Sequence, residues 1–452
     1  MPGIDSKSGA SASPAKPAAA SSAKPSAAAA GTSAKTTILY ALAGVAAVLS
    51  IVLGYYYPTL STMYGRLFFN PSAWPHHASA NLGKRCRFLD KSLFGCEDIV
   101  VHGEFAYLAF VLRLSFKENK LTKMHLSGFK PVAPGTLGLS LHGLSVTDGT
   151  KPNKLSLAAV NHRKGGSCVE LFDHRVGTDE LIHKETVCDP LIYNPNDVAL
   201  VSPRSFYVTN MVTKDSTPND VKKQLLLAQP TGTLVFRDGT AGQVRKVRDG
   251  LHAANGVSVA PNGRQLLVSE TSSHELSIWD IQADYSVRSA EPKLPLGFAP
   301  DNIATIPETG NWVVSGPAAS WPFAKAEGAD FAYQVVEPGK RGSPPRKQKP
   351  KFDEQEEGES GSGRRWTGHS SVIALVHNAT ASKDKFYGHK YKVTPIVVDP
   401  EGTFIYGASI AAVNWETKQA LVGGPLMKGV VMCEWPETVP ADEAGKGKGK
   451  GK

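Results

Sequence analysis

The chain has 452 residues, 41% of them hydrophobic and 20% charged, a balance that excludes wholesale disorder and can fill a substantial core. Its formal net charge is +9, from 50 Lys and Arg against 41 Asp and Glu. Part of that excess lies in the tails, at Lys7, Lys16, Lys24 and Lys35 and at Lys446, Lys448, Lys450 and Lys452. Neither tail interleaves bases with aromatics or forms a recognition helix, so the charge does not mark a nucleic-acid partner.

Residues 1–35 are rich in Ala, Ser, Pro and Lys and read as a disordered arm. Next comes the apolar run Ile38 to Tyr57, in a stretch without charge from Thr36 to Tyr64. At about 1.5 Å per residue this run reaches across a hydrocarbon core, with Tyr55, Tyr56 and Tyr57 at headgroup level. It starts too late and runs too long for a signal-peptide core, and no small-residue cleavage site follows it. The expectation is a retained transmembrane helix over 36–58 that engages the lipid bilayer. Four lysines precede the span and Arg66 is the first base after it, which places the arm in the cytosol. The large domain then lies in the endoplasmic reticulum lumen or another secretory or extracellular compartment, with Asn378 of Asn378-Ala379-Thr380 as a glycosylation acceptor. Residues 59–85 form a neck whose Leu67, Phe68, Phe69 and Trp74 offer, with the span, a surface for homo-oligomers.

The folded body is expected over 86–438. Short β-like runs recur there between turn signals such as PNGR at 261–264 and PETGN at 307–311. They include FAYLAFVLRL at 105–114, ELSIWDI at 275–281, TFIYGASIAAVNW at 403–415 and QALVGG at 419–424. Long helical periodicity is absent. NGVSVAPNGRQLLVSE at 255–270 and DNIATIPETGNWVVSG at 301–316 echo one unit: a polar Asx residue, an apolar strand, a Pro-x-x-Gly turn and a second strand. Such an echo is the form of an all-β propeller, in which equivalent inner residues recur once per blade. The charged stretch 337–367, nearly free of aliphatics, reads as a disordered insertion, and 439–452 as a disordered Lys/Gly tail.

Acids and amides standing in apolar surroundings carry the functional signal. They are Glu97-Asp98, Asn196-Asp197, Asn255 and Asp301-Asn302. Each taken singly suits a turn cap. Together, once per repeat, they suit convergence on a hard divalent cation, because a carboxylate buried alone pays a large desolvation cost. Oxygen donors without clustered Cys or His favour calcium over magnesium and zinc. His142 and His162 are either structural or a proton relay beside that cation. Cys86, Cys96, Cys168, Cys188 and Cys433 lack zinc or CxxC spacing, and with an odd number at least one stays unpaired within the chain.

These segments resemble the paraoxonase family of arylesterases and lactonases, in family order across 86–435. The matches are ED at 97–98, HGLS at 142–145, VNH at 160–162 with VELF at 169–172, and NPNDV at 194–198. They continue with FYVTN at 206–210, ANGVSVAPNG at 254–263, DNIATIPETGNWVV at 301–314, GASIAAV at 407–413 and VMCEW at 431–435. The resemblance implies a six-bladed β-propeller holding two calcium ions. Glu97, Asn196, Asn255, Asp301 and Asn302 would hold a catalytic ion; Asp98, Asp197 and the Leu144 carbonyl would hold a structural one. It further implies a Cys86–Cys433 disulfide, water activation by His142 and His162, and hydrolysis of small hydrophobic lactones or aryl esters. The chain departs from the family at Ser315-Gly316-Pro317, where relatives carry a further histidine, and at Asn210-Met211, where they carry Asn-Asp. A non-catalytic luminal propeller, stabilised by calcium and acting as a scaffold or chaperone-like subunit, is the alternative.

Overall fold

The computed structural model describes residues 38–52, 54, 85–109, 111–130, 138–163, 165–318, 371–378, 390–399, 402, 405 and 407–436. The expected arm, insertion and tail, and all of the neck but its last residue, lie outside them. The chain divides into two units, Met1–Leu60 and Ser61–Lys452. In the first, residues 38–52 are helical and expose the apolar side chains of Ile38, Leu39, Leu42, Val45, Leu49 and Ile51. Among the described residues no helix is long and apolar enough to cross a membrane; the expected span at 36–58 lies partly outside them.

The second unit is an all-β propeller of six sheets among the described residues. Blade I joins β1 (Cys86–Cys96) to β24 (Ile410–Asn414) and β25 (Gln419–Glu434). Blade II is β2 (Ile99–His102), β3 (Phe105–Leu108), β4 (Leu112–Ser115) and β5 (Lys120–Lys123). Blade III holds β6 (His125–Ser127), β7 (Leu141–Asp148), β8 (Lys154–Arg163), β9 (Gly166–Arg175) and β10 (Glu180–Val187), with β6 parallel to β10. Blade IV is β11 (Pro195–Leu200), β12 (Phe206–Asn210), β13 (Gly232–Arg237) and β14 (Val244–Leu251). Blade V is β15 (Ala254–Val259), β16 (Gln265–Glu270), β17 (Glu275–Ile281) and β18 (Val287–Ser289), with β19 (Leu294–Pro295) beside β17. Blade VI is β20 (Ile303–Ile306), β21 (Asn311–Pro317), β22 (Ser371–Asn378) and β23 (Tyr391–Asp399). The inner strands β2, β7, β11, β15, β20 and β24 pack each against the next and close a ring.

Strands sandwiched between blades are buried on both faces, so β11, β12 and β13 read as unbroken buried runs instead of alternating ones. The two echoing segments do form equivalent hairpins, with Val257 opposite Val268 and Ile303 opposite Val314. Several expected runs are redrawn. The run at 105–114 is broken into β3 and β4 by a tight turn in which Val111 takes φ 60°. Among the described residues of 403–415, Ile410–Asn414 are strand, and the run at 419–424 continues to Glu434 because β1 pairs along it. A short helix, Pro218–Leu226, interrupts the β pattern; Thr217 and Asp220 form its capping box and Pro218 opens it. Leu225 packs with Met211, Val212 and Ala253, supported by Val221 and Leu226.

Chain closure rests on β1, whose Cys86 lies opposite Cys433 of β25 and is disulfide-bonded to it, as expected. A second bridge joins Cys168 to Cys188, and Cys96 is free and buried. The Cys86–Cys433 bridge ties residues 347 apart in sequence, so it restricts the unfolded chain severely. Replacing both cysteines by serine is expected to lower the free energy of unfolding by about 2–4 kcal/mol. The midpoint of denaturant unfolding under non-reducing conditions measures it; an unchanged midpoint would refute the closing role.

Candidate functional site

The inner strands carry the site where they leave the ladder. Pairing slips between Leu141 and Leu144 in β7, between Pro195 and Val198 in β11, and between Ala254 and Val257 in β15. The residues inside these bulges are His142-Gly143, Asn196-Asp197 and Asn255-Gly256. A bulge frees its residues from cross-strand partners and re-aims their side chains. In the other blades an equivalent pair stands just ahead of the inner strand: Glu97-Asp98 before β2, Asp301-Asn302 before β20, and Ala408-Ser409 before β24. A Cβ at Gly256 would come within 2.6 Å of Asn302 Cα, and one at Gly143 would overlap Asp197, so glycine is what lets neighbouring inner strands approach.

Direct contacts join Glu97, Asn302, His142 and Asn196. Asn302 Nδ2 donates to Glu97 Oε1 at 2.7 Å and to the Glu97 carbonyl at 3.1 Å. His142 Nε2 lies 3.4 Å from Glu97 Oε1 and 3.2 Å from Asn196 Nδ2. Asn255 and Asp301 occupy the next two positions around the ring, linked by Gly256 N–H donating to the Asp301 carbonyl at 3.1 Å. All six residues are buried. Burial drives the Glu97 carboxyl well above the usual range, and the charges of Asp301 and Asp98 push it further.

Asp98 and Asp197 behave differently, because both oxygens of each accept backbone N–H groups. Asp98 takes Ile99 at 2.8 Å and Leu144 at 2.6 Å, while Asp197 takes Val198 and Val257, each at 2.7 Å. Each aspartate thereby ties its own blade to the next. Burial raises Asp98 to about 7 against those hydrogen bonds, and raises Asp197 well above the ordinary value with the Asp98 charge adding to it. Leu144 is thus seen through its N–H.

The residues fit a hard cation. Glu97 Oε2, Asn196 Oδ1, Asn255 Oδ1 and Asn302 Oδ1 are buried oxygens that no protein donor reaches. Leaving such groups unpaired costs about 1–3 kcal/mol each, more when charged, and an oxygen-coordinated ion removes that cost. Among the described residues no three His, Cys, Asp or Glu form a metal cluster; amide oxygens make up most of the donor set at this hub.

The imidazoles of His142 and His162 meet edge to face with centroids 5.1 Å apart, and Ser167 Oγ lies 2.9 Å from His162 Nδ1. Desolvation lowers both, His162 to about 4, while the neighbouring His162 further depresses His142. Both are therefore neutral at pH 7. Asn378 ends β22 at the blade end opposite the hub, with its backbone paired to Tyr391; Ala379 and Thr380 lie outside the described residues.

Sequence reading missed the hydroxyls that stitch the hub. Thr209 Oγ1 donates to the Asn255 carbonyl at 2.6 Å, Ser269 Oγ to the Asp301 carbonyl, and Ser409 Oγ to the Glu97 carbonyl. Thr209 and Ser269 sit on second strands, where nothing but their place in the repeat could have flagged them. At the departure Asn210-Met211, Met211 stands at the site, its Sδ 3.9 Å from Asn196 Nδ2, whereas Asn210 is spent on Leu191, Thr233 and Tyr193. Ser315 offers its carbonyl to Asp301 N–H at 2.7 Å.

Fold and site together define a six-bladed propeller with an oxygen-lined hub and a neutral histidine pair beside it. An arylesterase family model matches residues 110–322. The chain is 29% identical over 201 residues to serum paraoxonase/arylesterase 1 of Homo sapiens, covering 43% of this chain and 51% of that protein. It is 27% identical over 205 residues to serum paraoxonase/arylesterase 2 of Gallus gallus, covering 45% and 54%. A gluconolactonase of Xanthomonas campestris aligns with a TM-score of 0.42 at 11% identity, over 82% of this chain and 94% of that one. Over these residues the chain is similar to the paraoxonase/arylesterase family. It spans about half the length of the curated relatives it matches.

A carboxyl whose pKa is higher folded than unfolded binds extra protons in the folded state, so its contribution is complete below its unfolded value and fades as pH rises through the folded one. With Asp98 raised from 3.8 to about 7 and Glu97 and Asp197 also raised, these three carboxyls outweigh the opposite slope of the lowered His142 and His162, and metal-free protein is expected to lose stability as pH climbs from about 4 to about 7. Saturating calcium should flatten that slope. Thermal unfolding across this pH window, with chelator and with calcium, measures it; a metal-free protein that gains stability with pH would refute the burial of uncompensated carboxylates.

Proposed function

We propose that this chain is a membrane-tethered, calcium-dependent hydrolase of lactones or aryl esters. The observation that carries the reading is the set of four orphaned buried oxygens beside the edge-to-face pair of His142 and His162. Similarity to the arylesterase family supports it. Glu97, Asn196, Asn255, Asp301 and Asn302 would hold one calcium, and Asp98, Asp197 and the Leu144 carbonyl a second. Calcium bound at the first position supplies a Lewis acid that polarises a substrate carbonyl and favours developing negative charge.

The chain's own residues do the rest. Unprotonated, His142 Nε2 accepts the Asn196 amide at 3.2 Å; protonated, it faces the Glu97 carboxylate at 3.4 Å. One nitrogen thus has a partner in each state, which suits a base that takes a proton from water. His162 limits how that ring turns through the edge-to-face contact and is itself held at Ser167. Met211, where relatives carry an acid, places a thioether beside Asn196 and makes that part of the wall apolar, which favours hydrophobic acyl groups.

Purified protein is expected to hydrolyse phenyl acetate or aliphatic lactones, and chelation should abolish turnover. His142→Gln should retain bound calcium yet lower kcat by about 100-fold. Calcium bound to a folded but inactive wild-type protein would favour the scaffold reading instead.

The uncharged apolar stretch, with its exposed helical side chains, supports anchoring in a bilayer with the propeller on the non-cytosolic side. Full-length protein expressed in cells should stay with the pellet after alkaline carbonate extraction, and a variant lacking 36–58 should be released. Release of the full chain would sink the anchor.

A further inference from the structure

Blade III holds a buried polar network that the reaction outlined above does not use. Glu170 of β9 and Asn161 of β8 are both fully buried. Asn161 Nδ2 donates to Glu170 Oε1 at 2.8 Å and to the Gly138 carbonyl at 3.1 Å, while Asn161 Oδ1 accepts the Ser140 N–H at 2.8 Å. His162 N–H donates to the Ser140 carbonyl at 2.9 Å. The other carboxylate oxygen, Glu170 Oε2, accepts from Thr186 Oγ1 at 2.5 Å and lies 3.1 Å from His183 Nε2. Residues 138–140 are thereby fastened to β8 directly ahead of the bulge that carries His142.

That bulge needs fastening because it lacks ladder pairing between Leu141 and Leu144. Asp98 holds its downstream flank through Leu144 N–H. Asn161 holds the upstream flank and is the neighbour of His162 in β8. The geometry points to Glu170 as a positioning residue for both histidines: its carboxylate locks the Asn161 amide, and the amide fixes the bulge that aims His142 at His162. This role rests on the hydrolase reading only for its effect on rate.

The same clamp recurs in the next two blades, which gives an internal control. Asn210 accepts Tyr193 N–H at 3.1 Å and donates to Thr233 Oγ1 at 3.0 Å; Glu270 accepts His252 N–H at 2.9 Å and Ser277 Oγ at 2.6 Å. In blade III alone the residue after the second-strand clamp is a histidine of the candidate pair.

Full-length protein with calcium bound is compared for wild type, Glu170→Gln, Asn161→Asp, the double variant carrying both changes, and Ser277→Ala. In Glu170→Gln an amide donor can face the Asn161 donor, and in Asn161→Asp two carboxylates meet; the double variant restores a donor to an acceptor between 161 and 170 but leaves the Gly138 carbonyl without its donor. Carbethoxylation of each histidine by diethyl pyrocarbonate, followed by peptide mass spectrometry, is the primary readout. Each single variant should raise the reaction rate of His142 and His162 several-fold with exposed histidines unchanged, the double variant should bring it part of the way back, and Ser277→Ala should leave it alone. Where wild type hydrolyses phenyl acetate, kcat should fall about tenfold to a hundredfold in the single variants with KM and calcium content held, and recover in part in the double. Inactivity of the wild type removes the hydrolase reading and leaves the modification rates to decide the positioning role. Unchanged rates at both histidines in both single variants, or an equal rise in Ser277→Ala, would overturn it.

Discussion

The hub depends on carboxylates being buried where the next blade's backbone needs an acceptor. A ring of sheets leaves the first residues of each inner strand without ladder partners, and buried N–H groups without acceptors are costly. Asp98 and Asp197 answer this by accepting Leu144 and Val257 N–H from neighbouring blades. Gly256 N–H reaches the Asp301 carbonyl, Asn302 N–H the Ser409 carbonyl, and Ser409 Oγ the Glu97 carbonyl. Ring closure and site assembly are therefore one set of contacts. The cost is several negative charges close together in a low-dielectric channel, and the upward shifts of Glu97, Asp98 and Asp197 register that cost.

This arrangement explains what the sequence could disclose. Asx residues ahead of apolar strands are legible because they break the apolar pattern, and those positions did come together at the hub. Strand existence was equally legible, as in Glu275–Ile281, since turn chemistry brackets the run. Residues that obey the local pattern were not. Thr209 sits in a strand-forming FYVTN run, where threonine is an ordinary β residue, and its hydroxyl matters only because a second blade lies against it. The helix Pro218–Leu226 was missed although TPND is a helix start, since nine residues are too few for a visible period. Strand ends in blade I were misjudged because β1 comes from the far end of the chain, and no local window contains that pairing.

The bulges show why chemistry concentrates where regular structure fails. A residue held in a ladder has its direction fixed by the pleat, and alternate side chains must face opposite ways. At His142-Gly143, Asn196-Asp197 and Asn255-Gly256 the ladder is interrupted, so two successive residues serve different ends. Asp197 faces the neighbouring strand's amide while Asn196 faces His142. Glycine follows His142 and Asn255 because the adjoining inner strand fills the space a side chain would need.

Two kinds of hub position result. Asp98 and Asp197 have their oxygens engaged in joining blades, and their contribution is realised as the ring folds. Glu97, Asn196, Asn255 and Asn302 each keep an oxygen that folding does not satisfy. A protein under selection for stability alone would have replaced such groups with apolar ones of similar shape, since an unsatisfied buried oxygen costs more than its removal. Their grouping at the hub, with Glu97 and Asn196 in contact with the His142 imidazole, leaves the folded chain with an unmet demand for positive charge at one place. On the hydrolase reading, a cation meeting that demand would stabilise the ring and the site through the same atoms, so that binding energy for the ion and preorganisation of the site would be a single quantity.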